Sequence, residues 1–62
     1  MEKYKTAHGW HIRKANPNYP GRWLYISKVH RDYTVEWATD HLYAKRLSEK
    51  TASIILGIIK EG

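Results

Sequence analysis

Apolar and polar residues alternate along two stretches of the chain, which is the period of a strand with one buried face. Residues 10–13 and 33–37 alternate, whereas residues 22–29 are rich in aromatic and branched side chains on both faces, as in a central strand. Two prolines interrupt the loop at 15–21, and residues 30–32 can form a short turn. The pattern predicts a three-stranded antiparallel meander.

The C-terminal segment changes to a period near 3.6 residues, which is typical of an amphipathic helix. Ser48 can cap the first turn, and Glu49 lies where the positive end of the helix dipole favours a carboxylate. The apolar stripe follows the spacing i, i+3, i+4, i+7 and consists of Ala52, Ile55, Leu56 and Ile59. Four isoleucines and Gly57 are poor helix formers, so a strand over 51–59 is the alternative. The stretch at 40–47 is ambiguous and is compatible with one irregular turn.

We therefore predict a single α+β domain over residues 1–62, in which one C-terminal helix packs on one face of a three-stranded antiparallel sheet. The face toward the helix would carry the apolar strand positions Ile12, Leu24, Ile26, Val35 and Trp37. The opposite face would be open to solvent and would carry His11, Arg13, Trp23, Tyr25, Ser27, Thr34 and Glu36. This open face is aromatic and basic, so it is the candidate binding surface.

Length and composition restrict the chemistry that the chain can perform. A chain of 62 residues lies near the lower limit for a single apolar core and leaves little room for a substrate pocket. The sequence contains no cysteine, which excludes disulfides and thiolate metal sites. The apolar run at 54–59 is far shorter than the roughly 20 residues that span a bilayer, and the charged N-terminus is unlike a secretory signal. We therefore expect a cytoplasmic protein that uses no cofactor.

The histidines do not indicate a metal site or a catalytic site. His8 and His11 have the i, i+3 spacing of a metal pair, but on a strand this spacing does not bring two side chains together, and a third ligand is missing. His30 and His41 lie near aspartates in sequence, without an activated serine or a glycine-rich elbow. We expect a non-enzymatic protein that holds no metal.

Charge is distributed unevenly along the chain. Residues 1–31 carry seven basic residues and one acidic residue, a net charge of +6, whereas residues 32–62 carry four basic and five acidic residues, a net charge of −1. Cations interleaved with aromatic rings suit phosphates and stacked bases, or an acidic protein surface. The candidate binding residues are Arg13, Lys14, Arg22, Trp23, Tyr25, Lys28 and Arg31. DNA is the leading partner.

The order of three strands and a helix resembles the arm-site DNA-binding domain of tyrosine integrases. The matching segments are Gly21-Arg22-Trp23-Leu24-Tyr25 in the second strand and Ser48-Glu49-Lys50 at the helix start, and the resemblance covers residues 9–60. It implies that the open sheet face enters the major groove of DNA, with contacts from Arg13, Arg22, Trp23, Tyr25 and Ser27. Glu36 departs from this pattern, because a further cation is expected in the third strand.

A second resemblance is to small accessory proteins of bacteriophages, in which a strand ending in Trp-x-x-Asp precedes Ala-Lys-Arg-[Leu or Phe]-Ser and then a helix. Here these segments are Trp37-Ala38-Thr39-Asp40 and Ala44-Lys45-Arg46-Leu47-Ser48. The resemblance implies a phage protein in the cytoplasm of a host cell, with Ala44 and Leu47 packed under the helix start. Many such proteins disable host defence enzymes. An inhibitor of a CRISPR or restriction nuclease is therefore the alternative function.

Two isoleucines have no evident place in a core of three strands and one helix. Ile54 and Ile58 flank the apolar stripe and widen it beyond what three strands can cover. They are candidates for a homodimer interface or for insertion into a partner's groove. A small dimeric assembly module is therefore a third function, next to a DNA-binding module and an inhibitor.

Overall fold

The fold is an antiparallel sheet with a helix packed on one face. The computed structural model describes residues 1–61. Over these residues the chain forms β1 (Glu2–Thr6), β2 (Gly9–Ala15), β3 (Trp23–Val29), β4 (Val35–Ala38), a 3-10 turn (His41–Tyr43) and α1 (Glu49–Glu61). The strands pair in the order β1-β2-β3-β4, and all neighbours are antiparallel. The predicted α+β class, with an antiparallel sheet and a C-terminal helix, is confirmed.

The predicted number of strands is wrong, because the described chain has a fourth strand, β1, at the edge of the sheet. β1 pairs with β2 through all five of its residues. Its sequence carries charged residues on both faces, so hydrophobic periodicity does not reveal it. Lys3 covers apolar surface on the helix side, with its ammonium 5.2 Å from the centre of the Trp10 ring and 2.8 Å from the Ser53 hydroxyl.

The helix α1 begins at a capped N-terminus. The Ser48 hydroxyl accepts a hydrogen bond from the Thr51 N–H at 3.1 Å and so satisfies one of the amides that a first turn leaves free. Relative to alanine, each β-branched residue makes the helix less stable by a few tenths of a kcal/mol, and Gly57 by ~1 kcal/mol. Burial of one isoleucine side chain stabilises the fold by ~1.5–3 kcal/mol, so packing outweighs these costs. The strand alternative for 51–59 is wrong.

Within the described chain, no helix is long and apolar enough to cross a membrane.

The core lies between α1 and the side of the sheet that faces it. Its buried members are Ile12, Ile26, Leu47, Ala52 and Ile55. Half-buried apolar residues pack around them, namely Trp10, Val29, Val35, Trp37, Leu56 and Ile59. The predicted helical stripe therefore faces the sheet, and Leu47, which precedes the helix, is buried. Leu24, which was expected in the core, is half-buried.

Two apolar side chains lie on the outer surface of α1. Ile54 and Ile58 are 41% and 42% exposed. They lie beside the buried stripe, so they are surface residues and not core residues. They stay candidates for an interface.

Residues 39–47, which we call the crossing segment, carry the chain from one face of the sheet to the other. β2 and β3 pair through three residues each and then separate. The crossing segment enters the gap, where the Lys45 N–H donates to the Ile26 carbonyl at 2.8 Å, and Leu47 and Trp10 exchange backbone hydrogen bonds at 2.8 and 3.0 Å. These bonds satisfy backbone groups that the separation of the two strands would leave unpaired.

The crossing segment covers part of the face that was expected to be open. Gly9 has a φ of +128°, which favours glycine, and a Cβ there would lie 2.9 Å from Cγ of Arg46. Further back in the segment, the His41 ring lies 6.4 Å from the Tyr25 ring of β3, on the side of the sheet away from α1. The sheet face is therefore open only in part. Local periodicity in residues 40–47 could not predict this, because the path depends on distant partners.

Candidate functional site

Arg13 packs against two aromatic side chains on the open face. Its guanidinium carbon lies 4.1 Å from the centre of the Trp23 ring and 4.9 Å from the centre of the Tyr4 ring. Glu2, opposite Arg13 in the strand register, accepts a hydrogen bond from Nε at 2.7 Å and lies 2.6 Å from Nη2. The cation is thus stacked and paired with a carboxylate. Arg13 therefore has partners within the protein, and its role as a binding residue stays a prediction.

A series of rings runs across the open face from β1 to the 3-10 turn. Centre to centre, Tyr4 lies 5.3 Å from His11 and 6.4 Å from Tyr25. The His41 ring continues the series at 6.4 Å from Tyr25. Burial raises the pKa of Tyr4 above its ordinary value of 10.0, and the neighbouring Tyr25 raises it further. The Arg13 guanidinium has a smaller effect and lowers this pKa. The Tyr4 hydroxyl therefore stays protonated at neutral pH and can donate a hydrogen bond.

His11 fixes the crossing segment to β2. Its side chain is buried, with Nδ1 2.9 Å from the Lys45 carbonyl oxygen and Nε2 2.8 Å from the Thr6 hydroxyl. A carbonyl can only accept, so Nδ1 carries a hydrogen, and in the neutral ring Nε2 accepts the hydrogen of the Thr6 hydroxyl. Both ring nitrogens are therefore used within the protein. His11 has a structural role here and is not free to act as a base or a metal ligand.

The histidines around this face do not assemble into a metal site. His8 and His41 line the same concave surface as His11, whose two nitrogens are already bonded. No group of three histidine, aspartate or glutamate side chains in the described part of the chain is arranged to hold a metal ion.

The crossing segment divides the open face into two concave surfaces. The first has a volume of about 720 Å³ and is lined by Tyr4, Thr6, His8, His11, Arg13, Tyr25, His41, Leu42, Ala44 and Arg46. The second has a volume of about 860 Å³ and is lined by Asn16, Tyr19, Gly21, Arg22, Trp23, Tyr25, Thr39, Asp40 and His41. Tyr25 and His41 belong to both surfaces. We call the two surfaces together the groove.

Each half of the groove carries an exposed arginine. Arg46 lines the first concave surface and Arg22 the second. Among the described residues, neither has a carboxylate within ion-pair distance, in contrast to Arg13. Asp40 also lines the second surface, where its carboxylate accepts the Leu42 N–H at 2.9 Å. The groove can therefore offer two unpaired guanidinium groups to an anionic ligand.

The predicted binding residues do not all lie on one surface. Lys14 faces the helix side, with its ammonium 4.3 Å from the centre of the Trp37 ring, because adjacent strand residues face opposite sides. A bulge in β3 pairs Lys28 with Glu36 near the far end of that strand. Arg31 is exposed in the turn between β3 and β4. The structure brings together the remaining four residues, Arg13, Arg22, Trp23 and Tyr25.

Most residues that line the groove were not among the predicted binding residues, and Tyr4, His41 and Arg46 are the ones that add a ring or a guanidinium group to the proposed site. Tyr4 belongs to β1, which hydrophobic periodicity does not reveal because both faces of that strand carry charged residues. His41 and Arg46 belong to the crossing segment. Its path depends on contacts with β2 and β3, so no local pattern indicates that these side chains reach the groove.

Comparison with known proteins gives no relative from which a function can be transferred. No protein-family model, curated protein or solved structure matches this chain. The resemblances to integrase arm-site domains and to phage accessory proteins stay predictions. We therefore derive the function from the geometry and charge of the groove.

Proposed function

We propose that this protein is a non-enzymatic module that binds DNA through the groove. One observation carries the proposal: each concave surface combines aromatic rings with an exposed arginine that has no carboxylate partner among the described residues. Guanidinium groups bind phosphate as planar, bidentate donors, and aromatic rings stack on bases. The net charge of +5 adds a long-range attraction to a polyanion.

The residues of the groove have separate roles in this proposal. Arg22 and Arg46 bind phosphates, and each contact releases counterions from DNA. Trp23 and Tyr25 offer stacking surfaces, which are worth ~1–3 kcal/mol per base. Arg13 holds the ring of Trp23 and does not itself bind the backbone of DNA. This assignment replaces the direct contact from Arg13 that the integrase resemblance implies.

A charge-matched set of variants tests the proposal. We compare Arg22→Ala with Arg46→Ala, and use Arg31→Ala as a control that removes the same charge outside the groove. Binding of fluorescently labelled DNA is measured by anisotropy between about 50 and 200 mM salt, the range over which phosphate contacts lose most of their affinity. Each groove variant should reduce the slope of log affinity against log salt by about 1, and the control should leave it nearly unchanged.

Two results would contradict this proposal. Equal losses in the groove variants and in Arg31→Ala would mean that net charge, and not the groove, attracts DNA. Wild-type binding that does not change with salt would remove the electrostatic basis altogether.

A feature of the crossing segment favours a second candidate function. Leu42 and Tyr43 are 77% and 67% exposed beside the groove. Exposed apolar side chains next to polar residues are typical of protein-contact surfaces. As the alternative, we propose a phage-type inhibitor that places this segment on a host defence protein such as a CRISPR or restriction nuclease.

A pull-down from nuclease-treated host lysate separates the two functions. The inhibitor predicts one protein partner that survives digestion and is lost in the variant Leu42→Ala with Tyr43→Ala. DNA binding predicts that capture depends on nucleic acid, and that Tyr43→Ala alone, which changes no residue that lines the groove, keeps its affinity for DNA.

A further inference from the structure

We infer that the groove binds the unpaired bases of single-stranded DNA and not the major groove of a duplex. The inference rests on the proposed binding of DNA and specifies the form of DNA that fits this site. Three features of the described residues support it: the width of the sheet, the position of the crossing segment and the shape of the two concave surfaces.

The sheet is too wide to enter the major groove face-on. Neighbouring strands are spaced by about 4.8 Å, so the outer strands of a four-stranded sheet are about 14 Å apart before side chains are added. The major groove is about 12 Å wide and admits a helix or a two-stranded ribbon. The edge strand β1, which the sequence did not predict, therefore removes the docking geometry that the integrase resemblance implies.

The crossing segment is a second obstacle to a duplex. It lies over β3 on the face that would have to approach the bases, and it carries the exposed side chains of Leu42 and Tyr43. Lys45 fixes it through hydrogen bonds of 2.8 Å to Ile26 and 2.9 Å to His11. Displacing the segment would leave Nδ1 of the buried His11 without its hydrogen-bond acceptor, which is unfavourable. We therefore treat it as a fixed ridge.

A single strand of DNA fits the two concave surfaces that lie on either side of the crossing segment. Volumes of about 720 and 860 Å³ are within the range of small-molecule sites, so each concave surface can receive a nucleotide-sized group. The rings of Tyr25 and His41 lie where the two surfaces meet. Bases of a single strand can turn outward and stack on such rings, whereas paired bases are stacked within the duplex. Arg46 and Arg22 are placed to hold phosphates on the two sides.

A competition experiment with the wild-type chain tests the inference. A labelled single strand is bound first, and it is displaced either by the same unlabelled strand or by that strand annealed to its complement. We expect the single strand to compete at a concentration about tenfold lower than the duplex, the effect of one stacked base. If the duplex competes equally well or better, the inference is wrong and DNA binding stands. If neither form binds, the proposed function itself fails.

Tryptophan fluorescence locates the bound bases, with the wild-type chain compared with Trp23→Phe. Trp23 lies in the groove, whereas Trp10 and Trp37 pack against the core. A single strand should quench the wild-type emission, and Trp23→Phe should lose this quenching. Quenching that persists in Trp23→Phe would overturn the inference.

The residue Tyr25 offers a matched pair of variants. Tyr25→Ala should weaken single-strand binding about tenfold, and Tyr25→Phe, which keeps the ring, should bind as the wild type does. Circular dichroism checks that both variants fold. Equal affinity of a folded Tyr25→Ala would contradict stacking on this ring.

Discussion

The three arginines of the open face differ in their partners, and this difference decides their roles. Arg13 contacts two rings and a carboxylate, whereas Arg22 and Arg46 are exposed and, among the described residues, have no such carboxylate. A cation with partners within the protein contributes to stability. A cation without them is available to a ligand.

Arg13→Ala should therefore lower the free energy of unfolding by about 1–3 kcal/mol. Two cation–π contacts at partly exposed sites are worth about 0.5–1 kcal/mol each, and the ion pair with Glu2 adds up to about 1 kcal/mol. Urea unfolding measures the change. Arg22→Ala is the control and should stay within about 0.5 kcal/mol of the wild type. Equal stability of the two variants would contradict the structural role of Arg13.

Tyr4 links stability to alkaline pH. Burial and Tyr25 raise the pKa of Tyr4 in the folded protein. The contribution of the protonated hydroxyl to folding stability is therefore fully present below the ordinary pKa of 10.0, and it is lost as the pH rises through the folded pKa. The unfolded chain releases this proton first, which favours unfolding. We expect Tyr4→Phe to lose less stability than the wild type between neutral and alkaline pH, as measured by urea unfolding. Tyr19→Phe, at an exposed site, is the control and should follow the wild type.

At the scale of elements, local signals account for the helix and not for the crossing segment. α1 has a capping serine, an acidic first turn and a regular apolar stripe, all of which lie within the helix sequence or next to it. The crossing segment has no such pattern, because Lys45 and Leu47 are positioned by backbone partners in β3 and β2. Only the part of the groove that lies on strands with a clear local pattern was predictable. Trp23 and Tyr25 belong to an obvious strand, whereas His41 and Arg46 depend on the long-range path.

The packing of α1 can be tested with two adjacent isoleucines. Ile55 is fully buried, and Ile54 is 41% exposed. Ile55→Ala should destabilise by about 2–5 kcal/mol, which is a large part of the total for a domain of this size. Ile54→Ala should change stability by no more than about 0.5 kcal/mol. Thermal melting of both variants measures the difference, and similar melting temperatures would mean that α1 does not pack as described.

At the scale of the whole molecule, the groove and the exposed side of α1 lie on different faces. The helix covers the core side of the sheet, and the groove occupies the opposite side. Ile54 and Ile58 can therefore mediate self-association without covering the groove. This arrangement separates a dimer interface from the proposed DNA site.

The variant Ile54→Lys with Ile58→Lys tests the proposed dimer interface. We expect it to fold, because both side chains are exposed and lysines there remain solvated. Sedimentation should show a wild-type dimer and a monomeric variant that still binds DNA. A wild type that is monomeric at high concentration would exclude the dimer interface, and an unfolded variant would contradict the exposure of the two isoleucines.

The most direct test of the proposed DNA site is an NMR titration of the isotope-labelled protein with single-stranded DNA. We expect the largest shift changes at the groove, for the amides of Trp23, Tyr25, His41 and Arg46 and for the indole N–H of Trp23. The indole signals of Trp10 and Trp37 on the core side should change little and serve as internal controls. Changes concentrated on α1 or around Lys14, or no saturable changes at all, would contradict DNA binding through the groove.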